Sequence, residues 1–521
     1  MPYTLFLALA VGCRKHSIAT LLAIVAMGCI AQPDTPSNEG VAASSISDIP
    51  NPPREFRGVW IATVGNIDWP SRKGLTSNQQ QSEMRDILDK AKALRLNAIV
   101  FQVRPACDAL YVSQIEPWSA SLTGIQGKAP EPPYDPLQFA IEEAHKRGLE
   151  LHAWFNPYRA GTGEATSLAP MHIGTKRPDL VKKYGKYLWL DPGEKEVQDY
   201  TLSVILDVVK RYDIDGVHFD DYFYPYKEAG IDFPDDPSFQ KYTTGGGKLD
   251  RDSWRRSNVD SLVQRVSEGI KQTKPQCRFG ISPFGIWRPG YPAGVSGLDS
   301  YGTLYADSRK WFQEGWVDYL APQLYWPVAS TRQPYGALLK WWSEQNKFKR
   351  HLWPGNFTSK IADSGEWTAK EIVNQIEATR KDPGASGNIH FSAKAFMHNQ
   401  GHIDDTLSAG PYQGPALVPA CPWLDNKPPA APAAEAKRDT GGNLVVSWRT
   451  PTDNDVFLYA IYAHVNGAWR MDVVPGSTNG YSINTTGSTV PGALAVSAID
   501  RAGNESSRSL VALHAQTAAA R

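Results

Sequence analysis

The sequence predicts an α/β protein, a closed parallel (β/α)8 TIM barrel followed by a small all-β sandwich. Three observations lead there. Between Arg54 and about residue 400 a short apolar strand, a polar or aromatic loop and an amphipathic helix recur eight times. Beyond residue 425 the Pro/Ala stretch "DNKPPAAPAAEA" gives way to short strands with turn signals and no helical period. The 521 residues, at 41% hydrophobic content, exceed one ordinary domain and suit a large core plus a smaller module.

At the N-terminus, Arg14, Lys15 and His16 precede "SIATLLAIVAMGC", an apolar run too short to span a bilayer and of signal-peptide proportions. It ends at Gly28-Cys29, which resembles a bacterial lipobox, although Ala26 and Met27 depart from its preferred residues. Residues 1–29 are therefore expected to be a lipoprotein signal peptide with Cys29 as the lipid-bearing residue. By resemblance to lipoprotein sorting, Ile30 in place of Asp after Cys29 favours the outer membrane, facing periplasm or cell surface; ordinary secretion is the alternative. Residues 30–53, rich in Pro, Ser, Asn and Gly, are expected to be a flexible tether, with folding starting near Arg54.

The barrel is expected over residues 54–424. Its strands are "FRGVWIATV", "NAIVFQVRP", "ELHAWFNPY", "GVHFDDYF", "RFGISPFG", "DYLAPQLYW", "HLWPGNFT" and "NIHFSAKAF", all rich in β-branched and aromatic residues. Met84, Ile87, Leu88, Ala91 and Leu94 share one helical face after the first strand, and Val197, Tyr200, Val204, Ile205 and Val208 another after the third. Extra length falls at about residues 106–134, 159–190 and 224–250, after strands two, three and four, on the side where such barrels build active sites. Residues 425–436 are expected to be a linker. Residues 437–521 resemble a fibronectin type III domain in "LVVSWRT", "LYAIYAHV" and "ALAVSAIDRAGNES", with Leu494 where that fold usually has a corner tyrosine. A spacer or positioning role is expected for this module.

Composition narrows the function. Lys+Arg and Asp+Glu are equal at 54 each, so no one-sign field exists to hold nucleic acid or an anionic membrane surface. Seventeen Trp and twenty-two Tyr supply flat faces with polar edges, suited to sugar rings as well as to a large core. Cys107, Cys277 and Cys421 remain after processing at Cys29, far apart and without CxxC spacing; no metal site is expected, and at least one thiol stays unpaired. Neither GxxxxGK[ST] nor GxGxxG after the first strand appears, which excludes P-loop and Rossmann chemistry. No cofactor is required, and a monomer is expected.

The chemistry concentrates in "DGVHFDDYFYPY". Asp220 and Asp221 fall at the end of the fourth strand, flanked by His218 and Tyr222, where residues from several strands converge. Adjacent carboxylates repel, so one must be neutralised, partnered or raised in pKa. A glycosidase needs an acid that stays protonated beside a second carboxylate. Asp215, before the strand, reads as a structural turn residue. Other strand ends supply Arg104 and Asp108, then Asn156, Tyr158 and Arg159, then Gln323, Tyr325 and Trp326. Such a mixture suits a hydroxyl-rich ligand, with Trp287, Trp326 and Trp353 available to stack on rings.

The stretches "FRGVWIATVGNIDWPS", "QVRPACDALY", "EPWSASLTG", "HAWFNPYR", "DGVHFDDYFYP" and "APQLYW" resemble the glycosyl-hydrolase-like 10 family of bacterial envelope lipoproteins. The resemblance implies a (β/α)8 fold and glycan hydrolysis, in one branch of peptidoglycan strands stripped of their stem peptides. It implies that Arg104, Asp108, Asn156, Tyr158, Asp220, Asp221 and Tyr325 line the cleft. "HFDDY" is also similar to the paired acids of N-acetylhexosaminidases in which the substrate's own 2-acetamido oxygen attacks the anomeric carbon. In that scheme Asp220 orients the acetamido N–H, Asp221 protonates the leaving oxygen and Tyr325 bonds the acetamido carbonyl. A competing scheme makes Asp220 a nucleophile and draws the acid from Asp68 or Asp299. Hydrolysis of another surface-captured polysaccharide, or glycan binding without turnover, remains the alternative function.

Overall fold

A computed structural model describes residues 48–161, 168–362, 367–451, 456–485 and 490–513. The signal segment, Cys29 and most of the tether lie outside the described residues.

The eight barrel strands are β1 Phe56–Ile61, β2 Ala98–Arg104, β3 Glu150–Phe155, β4 Gly216–Phe219, β5 Arg278–Ile281, β6 Tyr319–Leu320, β7 in two pieces, His351–Leu352 and Gly355–Asn356, and β8 Gly387–His390. All pair in parallel, each with its sequence neighbour, and β1 also pairs with β8. The first piece of β7 bonds to β6 and the second to β8, so the ring closes. The break falls at Trp353-Pro354, where proline has no N–H to give to a ladder. β1 to β4 are buried along their whole length, as expected of parallel strands covered on both faces.

Helices form where the period of 3.6 was legible. Ser77–Ala93 begins at a capping box, Thr76 with Gln79, and buries Met84, Ile87, Leu88 and Ala91. Lys195–Arg211 buries Val197, Val204, Ile205 and Val208 against the barrel.

Aromatic rings fill the barrel's interior. The Phe56 and Trp353 rings stack at 3.7 Å and Tyr319 lies 4.6 Å from Trp353, so Trp353 is interior packing, fully buried, and not a sugar platform. Gly280 on β5 makes room: a Cβ there would lie 2.0 Å from the Tyr319 ring.

The C-terminal module has a three-stranded antiparallel sheet (Ala433–Arg438, Leu444–Arg449, Gly480–Ile483) and a four-stranded one (Val456–Val465, Ala468–Pro475, Ala493–Asp500, Ser509–Val511). Its first strand starts at Ala433, inside the stretch expected to be linker. Val446 and Trp448 from one sheet and Tyr459, Ile461, Leu494 and Val496 from the other form the core between them, so Leu494 is packing. The four-stranded sheet is buried on its other face too: Leu458, Ala460, Tyr462, Ala495 and Ile499 cluster with Leu417 and Ile49. Ile49 is 5% exposed and its carbonyl accepts from Arg508 at 2.8 Å, so chain order begins before Arg54.

Polar contacts fasten this sheet beneath the barrel. Arg501 donates to Asp215 and Asp213, both at 2.6 Å, while Arg278 donates to the Arg501 carbonyl at 2.8 Å. Asp215 also accepts from Leu151 N and faces His145 at 2.8 Å, which gives it the structural role expected.

Candidate active site

At the C-terminal ends of the strands opens a cleft of about 610 Å³, within the usual range for ligand sites. Trp60 and Ala62 come from the end of β1, Gln102 from β2, Trp154 from β3, Asp220 and Asp221 from beyond β4, and Ser282 follows β5. Gln323 and Tyr325 follow β6, and Phe391 follows β8. The insert after β3 folds into a small antiparallel sheet (Arg159–Gly161, Val181–Tyr184, Tyr187–Leu190) that adds Arg159, Lys186 and Tyr187.

Asp220 is held entirely by donors. Trp154 Nε1 reaches it at 3.1 Å, Asn156 Nδ2 at 3.1 and 3.3 Å, and the backbone N–H of Tyr222 at 3.2 Å. The Asn156 amide orientation is fixed because its oxygen accepts from the N–H of Arg159 at 2.8 Å. Burial pushes the Asp220 carboxyl up to about 6; Arg159 pulls it down and the Asp221 charge pushes it up. Asp221 receives the Tyr226 hydroxyl, and its pKa is raised by burial against the opposing pull of Tyr226 and Gln323. Among the described residues these two are the carboxylates lining the cleft.

Beneath the floor runs a chain of hydrogen bonds whose proton positions follow from one donor. Trp60 Nε1–H can only donate, and it meets His218 Nε2 at 3.1 Å. His218 therefore carries its proton on Nδ1 and gives it to the Tyr319 hydroxyl at 2.9 Å. Tyr319 in turn donates to His152 Nδ1 at 2.8 Å, and His152 Nε2–H meets Glu150 at 3.2 Å. Burial holds His218 well below the usual imidazole range, as this arrangement requires.

Of the expected site residues, Asp220, Asp221, Arg159, Tyr222, Gln323 and Tyr325 meet at the cleft. The others lie elsewhere. Arg104 is fully buried, with its Nε at 2.9 and 3.0 Å from Glu116, and its Nη1 donates to the Asn156 carbonyl at 2.6 Å; it braces the site from behind. Asn156 has no exposure and acts through Asp220. Tyr158 is buried, its hydroxyl unpartnered among the described residues, and Asp108 is tied to the Ala106 N–H and Gln126, its pKa pushed up to about 6 by burial. His218 lies under Trp60. Trp287 stacks on Trp341 at 5.8 Å, and Trp326 packs edge-on against Phe284, both off the cleft. The alternative acids are also occupied: Asp68 accepts from Ala62 N, Ser392 Oγ and Lys394 N, while Asp299 caps a short helix.

Trp60, Gln102, Trp154, Tyr226, Lys186 and Phe391 were not singled out by sequence. Gln102 carried a signal, a lone amide inside the apolar strand "AIVFQVR". Its oxygen accepts from the N–H groups of Thr63 and Val64, and its buried Nε2, in the cleft wall, has no partner among the described residues. All three cysteines of the described chain are free and buried.

A closed barrel with an aromatic cleft and buried carboxyls at the C-terminal strand ends is the architecture of a glycoside hydrolase, and that is the class of this protein. The family model described as "Glycosyl hydrolase-like 10" matches residues 55–372, and the chain belongs to that family. It is 44% identical to "Glycosyl hydrolase YngK" of Bacillus subtilis over 424 residues, 78% of this chain and 82% of that one. It is 36% identical to "Glycosyl hydrolase DigH" of Escherichia coli over 412 residues, 73% of this chain and 92% of that one. Among solved structures, the PgaB (BpsB) glycoside hydrolase domain from Bordetella bronchiseptica is similar with a TM-score of 0.46 at 13% identity, covering 68% of this chain and 98% of that one. The catalytic domain of the Paenibacillus polymyxa β-amylase also has a TM-score of 0.46, at 15% identity, covering 70% of this chain and 98% of that one.

Proposed function

We propose that this enzyme hydrolyses N-acetylated glycans, peptidoglycan strands above all, with Asp221 as the general acid and Asp220 as the group that orients and charge-stabilises the 2-acetamido N–H. One observation carries the assignment: no third carboxylate lines the cleft among the described residues, so acid and stabiliser both fall on this pair. The donors around Asp220 favour its charged form, which leaves the pair's proton to Asp221. With Asp220 so engaged, the attacking oxygen belongs to the substrate, whose acetamido carbonyl Tyr325 would hold. Gln102 Nε2 is a free donor for a ring hydroxyl, and Trp60, Tyr187 and Phe391 provide apolar ring faces.

An envelope address through Cys29, with the glycan as partner, belongs to the same reading. The test is digestion of strands stripped of stem peptides, with product mass and reducing-end sugar identified. Full cleavage by Asp221→Asn would remove Asp221 from the acid role.

A further inference from the structure

Arg159 is a buried cation short of acceptors. It is 4% exposed and lines the cleft, yet among the described residues its Nε has no partner, its side chain's one hydrogen bond is a 3.4 Å contact from Nη1 to the Pro105 carbonyl, and Asp220, which it attracts, lies beyond ion-pair distance. The Tyr222 ring, 4.3 Å from the guanidinium carbon, holds its plane. A guanidinium has five N–H donors, and burying it unpaired is costly, so the fold keeps this group in a state that a ligand would relieve. On the same insert sheet, and lining the same cleft, Lys186 stands at the tip of the hairpin, in the turn made by Gly185 at φ +54°. Its ammonium lies 5.3 Å from the Tyr187 ring centroid, and it too has no ion pair among the described residues. Lys186 is exposed and solvated, so the buried Arg159, short of hydrogen-bond acceptors at the cleft wall, is the group a neutral polysaccharide leaves unexplained, and Lys186 adds a second positive charge at the same rim.

We propose that Arg159 and Lys186 form a subsite for a carboxylate carried by the sugar chain, with Arg159 binding it through its planar fork and Lys186 supplying a second, mobile charge. This deepens the proposed function and rests on it. The carboxylate has two chemical sources, the ring acid of a hexuronic residue and an acid joined through an ether, such as the lactyl group of peptidoglycan strands without stem peptides.

The experiment compares free-acid strands with the same strands converted to methylamides by carbodiimide coupling, and a polymer of alternating N-acetylhexosamine and hexuronic acid with its own methylamide. The full chain, Lys186→Met and Lys186→Arg are each assayed for kcat/KM, and the readout is the acid-to-amide ratio, which general damage to the fold does not move. The expected ratio is at least 10 for the unaltered chain on one of the two acids, which identifies the source. It falls at least fivefold in Lys186→Met, through KM, and is retained in Lys186→Arg. A ratio near 1 on both polymers, or a ratio unchanged in Lys186→Met, overturns the subsite while leaving hydrolysis intact. If neither polymer is cleaved, calorimetric binding of the acid and amide strands decides. Acid-selective binding supports the subsite and refutes only the hydrolysis; equal or absent binding overturns the subsite.

Discussion

The Asp220 carboxyl should leave a measurable imprint on stability as well as on rate. Its pKa is pushed up to about 6 in the fold, with burial as the main cause, against 3.8 as its ordinary value. A carboxyl raised on folding contributes stability that is fully present below its unfolded pKa and is lost as pH rises through its folded pKa. The difference of about two pH units corresponds to ~3 kcal/mol at about 1.4 kcal/mol per unit, most of it lost between pH 4 and pH 7. Asp220→Asn has no such titration. Urea unfolding of both proteins, followed at half-unit steps from pH 4 to 7.5, should give stability curves that converge or cross. The unaltered chain should lose about 2–3 kcal/mol relative to the variant. Hydrogen bonds lost on substitution shift the variant's curve as a whole and leave this difference in slope untouched. Parallel curves across that range would mean Asp220 is an ordinary solvated acid, and the account of a strained pair would fail.

Other outcomes follow from the same geometry. Asp221→Asn should lower kcat on natural glycan by about 10²- to 10⁴-fold, the usual contribution of a general acid, and by much less on a substrate with an activated aryl leaving group; an equal loss on both would argue for a different role. Because Asp220 acts in its charged form, kcat/KM should rise as pH climbs through about 6, and it should fall on the alkaline side as Asp221, its pKa raised by burial, gives up its proton; loss of the acid limb in Asp220→Asn checks the first, and an unchanged acid limb in that variant would contradict the assignment. Trp154→Phe leaves a smaller aromatic ring and removes a donor to a charged group, worth about 1.5–3 kcal/mol, so kcat should fall about 10- to 100-fold with KM little changed. Arg501→Ala should cost about 2 kcal/mol and detach the C-terminal module as a separate, lower-temperature transition in calorimetry; a single unshifted transition would show that the apolar face alone holds it.

The barrel was legible because its signals are local and repeated: eight apolar runs, helical stripes between them, and long loops on one side. What was not legible depends on partners distant in sequence. Arg104 reads as a ligand group in "QVRPACDALY", and only the fold brings Glu116 and the Asn156 carbonyl to it. Trp353 looks free in "HLWPGNFT" until Phe56 stacks on it from the first strand. The break in β7 had a visible cause in Pro354, but the ring closure it permits needs two neighbours, from β6 and β8. Docking of the sandwich was hidden because alternation along "LYAIYAHV" marks two buried faces only after the barrel covers one. Candidate-site residues divide the same way. The aspartate pair and, from the end of β6, Gln323 and Tyr325 announce themselves by type and place, whereas Trp326 beside them turns away to Phe284 and Trp60 and Trp154 look like core until the cleft opens above them.

β4 shows how one residue type is made inert at one end of a strand and reactive at the other. Asp215, just before it, and Asp220, just after it, are both almost fully buried. Burial raises the pKa of each, so desolvation cannot be what separates them. The difference lies in cations. Asp215 has Arg501 at 2.6 Å and His145 at 2.8 Å, and their attraction holds it well below the usual carboxylate range. Asp220 has neutral donors and Arg159 beyond ion-pair distance, beside a second carboxyl that repels it. The nearest positive charge is thus withheld from the active pair while the structural acid receives two. A barrel that paired Arg159 tightly with Asp220 would hold that carboxylate as inert as Asp215 and would have no guanidinium left for an acidic sugar.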